Sequence, residues 1–260
     1  MLAWIPRGLR AGRITTRYPA REEPAPPGYR GRIELTNATG AAPELAQVCP
    51  TGAITVDRER RLALDRGRCI LCGACVQAAP ARFAFAARYQ TAARSRDALV
   101  VPEADAEVPV EPARQALGEQ ARALRRSIHV RHIDCGSDGS EEWEIQALWN
   151  PYYDIQRLGF FLTAAPRHAD VLLVTGALTN AMRAPLERTW EVMPQPKALV
   201  AVGTDACSGG LCPAGELTAG GVDALLAVDV YVPGSPPAPI AIMHGLLLAT
   251  GLLGARELAP

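Results

Sequence analysis

Cys69-Ile-Leu-Cys72-Gly-Ala-Cys75, read with Cys49-Pro50 upstream, is the stretch that decides how the first half of this chain folds. Three thiols spaced by two residues, with a fourth Cys followed by Pro, are the pattern in which cysteines hold a cluster of iron and sulfide. Soft thiolates suit the role because the iron they bind is itself ligated by sulfide. Two blander readings stay open beside it. A zinc ribbon needs two spaced pairs, and the chain offers a triplet plus a single Cys-Pro. Disulfides need an oxidising compartment, and no secretory signal is expected ahead of the chain.

The spacing resembles that of bacterial two-cluster ferredoxins, in which the fourth Cys of one run serves the other cluster. The resemblance implies that Cys49 joins Cys69, Cys72 and Cys75 around one 4Fe–4S cluster. The fourth position of their own run is Ala79, still followed by Pro80. The run that should precede Cys49 falls on Thr39, Ala42 and Leu45, or on Ala38 and Ala41 if shifted by one. One cluster keeps every ligand and the other keeps none. An α+β ferredoxin-like domain reduced to a single cluster is what this implies.

With 260 residues the chain is long enough for two modest domains, each with its own core. Its 27 basic and 27 acidic residues balance, so nucleic acid is not an expected partner, nor is a strong patch for anionic membranes. Apart from Lys197 the basic residues are Arg. Four of the seven cysteines belong to the cluster pattern, and this usage fits a reducing cytoplasm. No apolar run reaches the length of a membrane span. The greasiest stretch, Ile240 to Leu253, carries His244, Gly245 and Gly251 and is expected to be a buried helix.

Working outward, residues 1–31 form an Arg- and Pro-rich lead-in that offers Trp4, Ile5 and Leu9 as anchors for docking. Residues 32–95 hold the cysteine unit, with short strands expected at Arg32–Leu35, Ala53–Val56 and Arg61–Asp65. Residues 96–126 are expected to be a linker, acidic between Pro102 and Pro112, followed by a connecting amphipathic helix over Ala113–Arg126. Residues 127–260 change character. Apolar runs at Ile128–Ile133, Val171–Gly176, Ala198–Gly203 and Ala224–Val230 alternate with helix-like segments such as Ala184–Met193, which predicts an α/β domain with a parallel, flavodoxin-like sheet. Gly176 and Gly203 follow strands, where the loops of a parallel sheet build sites.

The segments Pro166-Arg-His-Ala-Asp-Val-Leu-Leu-Val-Thr-Gly, Met193-Pro-Gln-Pro-Lys, Ser208-Gly-Gly and Val230-Tyr-Val-Pro-Gly-Ser-Pro-Pro make the second half recognisable. It resembles the small, cluster-bearing subunit shared by respiratory complex I and the energy-converting nickel–iron hydrogenases, formate hydrogenlyase among them. The first half resembles the ferredoxin-like subunit of the same complexes, including Trp4-Ile-Pro-Arg-Gly-Leu and Thr16-Arg-Tyr-Pro. The resemblance covers nearly the whole chain and implies a fusion of two subunits. It implies as partners a hydrogenase- or complex I-type large subunit and an integral membrane subunit, with the chain peripheral on the cytoplasmic face of the membrane. It implies one-electron transfer, with no catalytic site in the chain itself.

In that family the α/β subunit holds its own 4Fe–4S cluster through four cysteines, and their aligned positions here are Asp138, Glu141, Asp205 and Ser235. The resemblance therefore implies a vacated second site. Cys135, Cys207 and Cys212 lie near these positions in sequence, so a rearranged cluster built on them with a carboxylate is one alternative, and ordinary buried cysteines the other. If the family fold is kept, Asp138, Glu141 and Asp205 converge beside Ser235 and raise one another's pKa. The competing expectation is that they face solvent or pair with Arg. Glu144, His132 and His168 are weaker candidates, and Trp143, Trp149, Tyr152 and Tyr153 form an aromatic patch. Neither a phosphate-binding glycine loop nor a nucleophile–His–acid arrangement is legible. A non-redox interaction protein, with its remaining cluster a structural staple, is the competing class.

Overall fold

The structure, a computed structural model, describes residues 4–102, 119 and 127–253. The acidic linker beyond Pro102 and the connecting helix over Ala113–Arg126, both read from the sequence, lie outside the described residues apart from Glu119.

Helix α1 (Trp4–Ala11) is exposed along its whole length. The segment behind it is stitched to the second half of the chain: Thr16 N–H donates to the Tyr152 carbonyl at 2.8 Å, and Thr15 Oγ1 to that of Pro151 at 3.0 Å.

The cysteine unit is built from two β–helix–β halves. The first is β1 (Arg32–Leu35), a 3-10 helix over Pro43–Val48, and β2 (Ile54–Val56). The second is β3 (Leu62–Asp65), helix α2 (Ala74–Ala78) and β4 (Phe83–Ala86). Each half pairs with the other: β1 runs antiparallel to β4 with Ile33 opposite Phe85, and β2 antiparallel to β3 with Ile54 opposite Leu64. Alternation along β3 sends Leu62 and Leu64 inward, where they meet Ile33, Ile54, Phe83 and Cys75. The stretch assigned to the linker from residue 96 begins instead with structure. Leu99 is buried, and β5 (Val100–Val101) adds a third strand to β3, with Val101 opposite Leu64. Two β-branched residues beside a buried Leu fit a sheet edge better than a solvated connector.

The second half is a five-stranded, all-parallel sheet of β6 (Ile128–Asp134), β7 (Phe160–Leu162), β8 (Val171–Thr175), β9 (Ala198–Val202) and β10 (Val230–Val232). Its spatial order β10-β9-β8-β6-β7 is 2-1-3-4-5 in the numbering of a flavodoxin-like sheet. Both faces are covered, which is why the strands read as unbroken apolar runs. Val171, Leu173, Val200 and Val202 face α3 (Ser140–Ala147) and the wholly buried α6 (Pro239–Ala249). Leu172, Val174, Leu199 and Ala201 face α4 (Arg183–Val192) and α5 (Thr204–Ser208). Gly245 lets α6 lie on β10, since a Cβ there would stand 2.3 Å from Val232 Cγ2.

One strand differs from its sequence reading. Ala224–Val230 is not a strand: a 3-10 turn covers Val222–Ala224, and pairing with β9 starts only at Val230, opposite Val200. Leu225 and Leu226 pack from the loop against the lower apolar layer instead. Asp229 ends that loop by accepting the Leu199 N–H at 2.7 Å.

The two halves meet along a continuous seam. Ala93 and Tyr231 exchange backbone hydrogen bonds of 2.9 and 2.8 Å. Thr204, at the start of α5, touches the cysteine loop itself.

Candidate metal centre

The pairing of the two β–helix–β halves brings the ends of their connections together. A pocket walled by Ile33, Ile54 and Leu64 has Cys49, Cys69, Cys72 and Cys75 on its lining. Cys49 arrives at the end of the Pro43–Val48 helix, and Cys69 at the end of the Arg66–Arg68 turn. Cys75 sits inside α2, buried, while Cys72 is exposed. Positive φ at Leu71 (56°) and Gly73 (81°) winds the loop between them. Only glycine suits position 73: its φ is left-handed, and a Cβ would stand 3.0 Å from the Phe85 ring.

Backbone donors are aimed at the sulfurs. The Ala53 N–H donates to Cys49 Sγ at 3.2 Å, and N–H groups of Leu71 and Val76 act on Cys69 and Cys75. Burial nevertheless wins. It pushes the Cys69 thiol up to about 12, with Cys75, Cys49 and Cys72 each adding to the shift, and it raises Cys75 as well. Four thiolates in such a pocket need positive charge among them. Among the described residues no group of three or more His, Cys, Asp or Glu is set to hold a single metal ion. Donor chemistry, sulfur-directed N–H groups and the shared pocket all fit a 4Fe–4S cluster.

The positions that align with the second ligand set tell a different story. The structure brings three of them together. Glu141, in the first turn of α3, is 2% exposed and lies against Gly203, where a Cβ would stand 2.4 Å from its Oε1. Burial, then Asp205 and Asp138, push Glu141 up to about 7, against a backbone N–H and the Ser140 hydroxyl at 3.1 Å. Asp205 is raised by burial and by Asp138. Asp138 itself is lowered, because the Ser140 side chain and N–H both donate to it. Ser235 is exposed, and among the described residues no hydrogen bond joins it to the carboxylates. Three carboxylates and a hydroxyl do not fit a cluster that prefers thiolates.

Cys135, Cys207 and Cys212 do not gather either. Cys135 and Cys207 are buried in the lower apolar layer, and Cys212 is exposed in the loop beyond α5. Burial raises Cys135 to about 12 and Cys207 further.

One network was not legible in the sequence. Glu142 accepts from Ser137 Oγ at 2.8 Å and from Thr175 Oγ1, while His132 Nε2 lies 2.9 Å from the same Thr175 oxygen. With the Thr175 proton given to Glu142, His132 donates from Nε2. Burial lowers the His132 pKa despite Glu142, 3.4 Å away. An acid one residue from Glu141 carries no spacing signal of its own. His168 and Trp143 are exposed, and Tyr152 meets Tyr153 edge-on at 5.0 Å.

The carboxyl ends of β6 and β9 thus carry the acidic group, and residues 138–249, spanning α3 to α6, match the family described as NADH ubiquinone oxidoreductase, 20 Kd subunit. Formate hydrogenlyase subunit 7 of Escherichia coli (strain K12) is 42% identical over 132 residues, 51% of this chain and 52% of that protein. The probable membrane-bound hydrogenase subunit mbhJ of Pyrococcus furiosus is 38% identical over 133 residues, 51% of this chain and 80% of that protein. A chain of the membrane-bound sulfane sulfur reductase, an archaeal respiratory membrane complex, aligns with a TM-score of 0.44 and 27% identity over 52% of this chain and 77% of that one. The chain spans about half the length of formate hydrogenlyase subunit 7. By its identity to relatives such as mbhJ over most of their length, the chain belongs to the family of the NADH ubiquinone oxidoreductase 20 Kd subunit.

Proposed function

We propose that this chain is an electron-transfer iron–sulfur subunit of a membrane-bound oxidoreductase complex related to complex I and the energy-converting hydrogenases. Residues 32–95 act as a ferredoxin-like domain, and residues 127–260 as a scaffold for a large subunit and an integral membrane subunit on the cytoplasmic face. The names of the relatives support a place in such a complex. The observation that carries the redox assignment is the convergence of Cys49, Cys69, Cys72 and Cys75 on one pocket beside the α/β half.

A bound 4Fe–4S cluster supplies one-electron transfer. The chain's part is to hold and tune it. Cys49, Cys69, Cys72 and Cys75 would be the ligands, and the N–H groups of Ala53, Leu71 and Val76 would stabilise the charge on their sulfurs. Thr204 fixes the carbonyl of Cys69, and Leu64 and Ile54 keep water from the inner side. Cys72 leaves one corner facing outward.

The test is iron and acid-labile sulfide per chain on anaerobically purified protein, with low-temperature EPR after dithionite. About four irons, lost in Cys72→Ser, support one cluster. About eight irons would mean that a second cluster exists after all, and an iron-free chain would end the proposal. A second reading is favoured by the carboxylates at Glu141 and Asp205: with no thiolates there, the cluster would serve only as a staple for the small domain. A cluster that binds but shows no reduced EPR signal would favour the staple.

A further inference from the structure

The charge that balances over the whole chain is not balanced locally. Residues 4–21 carry Arg7, Arg10, Arg13, Arg17 and Arg21 and no Asp or Glu. All five arginines are exposed. The two acids that follow are engaged by other partners. Glu23 accepts from Thr16 Oγ1 at 2.5 Å and from the Tyr152 hydroxyl at 2.6 Å, and Glu22 accepts from Gln90 at 3.5 Å. Among the described residues no carboxylate pairs with any of the five arginines.

The same segment exposes its apolar side chains. At 100° per residue, Trp4, Ile5 and Leu9 share one face of α1, and Arg7 and Arg10 the other. Trp4 is 69% exposed, Leu9 81% and Ile14, just beyond the helix, 61%. The arm is nevertheless anchored, because Thr15, Thr16 and Tyr18 hydrogen-bond to residues 151–157 at its base. None of the described helices is long and apolar enough to cross a membrane.

We infer that α1 and the arm behind it lie on an anionic lipid surface, with Trp4, Ile5 and Leu9 in the headgroup–acyl boundary and the arginines on the phosphates. Apolar burial plus attraction to anionic headgroups is how such helices bind, and a Trp beside arginines suits that boundary. The positive charge of the arm, which pairs with no carboxylate among the described residues, selects an acidic surface. The inference rests on the complex-borne, peripheral placement proposed above and orients it: the α1 side of the chain faces the bilayer.

The test uses the full chain, purified with its iron, and vesicles of phosphatidylcholine with or without phosphatidylglycerol, read by co-sedimentation. Binding is expected only with phosphatidylglycerol, falling as salt rises, with a blue shift of Trp4 fluorescence that disappears in Trp4→Phe. Each arginine near such a surface contributes roughly fivefold, so Arg7→Gln with Arg10→Gln weakens binding about thirtyfold. Leu9→Asp abolishes it. Since α1 is exposed along its whole length, the variants keep the wild-type thermal midpoint and iron content. Equal binding to both vesicle types, unchanged binding in the variants, or no binding at all overturns the inference. If instead the variants fail only to assemble with the membrane subunit, the arm is a protein-docking element and the lipid assignment is wrong. Iron content and EPR, measured on the same samples, report separately on the redox proposal.

Discussion

The hydroxyl of Thr204 donates to the backbone carbonyl of Cys69 across 3.0 Å, so the first turn after β9 holds the first ligand of the cysteine loop. Thr204 is completely buried, and its N–H and hydroxyl both also reach the Gly234 carbonyl. The next residue, Asp205, is a member of the acidic group. The cysteine pocket and the acidic group therefore share a wall one residue thick. Thr204→Val keeps the shape but leaves the Cys69 carbonyl without its donor, while the Gly234 carbonyl keeps the backbone N–H. The expected cost is about 1 kcal/mol, a fall of roughly 2–4 °C in Tm, with faster iron release on chelator challenge. Thr204→Ser restores both. Equal behaviour of the two variants would show that the contact does not brace the loop.

Glu141 makes stability depend on pH in an unusual direction for a carboxylate. Its ordinary value is 4.5, and in the folded chain burial beside Asp205 raises it to about 7. Between these values the folded state holds a proton that the unfolded state has released. Stability from this group is thus complete below pH 4.5, declines as pH rises, and is gone above about 7. Glu141→Gln should flatten that part of the profile and stabilise the chain at alkaline pH. Urea midpoints of both proteins from pH 4 to 8 check it, and parallel profiles would show that Glu141 titrates normally.

Cys135, Cys207 and Cys212 separate by accessibility. The first two are buried in the layer beneath β8 and β9, their thiols raised by burial, and Cys212 is exposed. Of these three, Cys212 alone is open to a reagent in solvent. Iodoacetamide should modify Cys212 in the native chain, and Cys135 and Cys207 only after unfolding, with mass spectrometry locating the adducts. Native-state labelling of Cys207 would mean that α5 opens from the sheet. Removing any of the three should leave the iron content unchanged.

What the sequence revealed, and what it hid, follows from the range of each interaction. The cysteine pattern is local: a C-x2-C-x2-C loop must wind around something, and Leu71 and Gly73 show the winding. The parallel sheet was legible because strands covered on both faces leave unbroken apolar runs, as in Val171–Thr175. Strand β7 escaped because it is three residues long, at the sheet edge, with Phe161 and Leu162 exposed. The gathering of Asp138, Glu141 and Asp205 was visible only through the family resemblance, since three strand connections separate Glu141 from Asp205. Glu142 and Arg96 had no signal at all, for their partners lie 31 or more residues away, at Thr175 and Asp65.

Arg96, just before β5, and Asp65, at the end of β3, form a two-point ion pair inside the first half of the chain. Both terminal nitrogens of Arg96 meet the two carboxylate oxygens at 2.6 Å. The same carboxylate accepts the Gly67 N–H at 2.9 Å, and so shapes the turn that leads into Cys69. Gly67 is required beneath the guanidinium, since a Cβ there would stand 2.5 Å from Arg96 Nη1. Burial disfavours the charge on Arg96, yet the bonds to Asp65 outweigh it and the pKa is raised. Removing either partner strands the other in a half-buried site. Asp65→Asn and Arg96→Lys should therefore each cost about 1–3 kcal/mol, because a lysine ammonium cannot reproduce the two-point contact. The double variant should cost clearly less than their sum, which a denaturation cycle measures. Strictly additive losses would mean that the pair contributes no coupling.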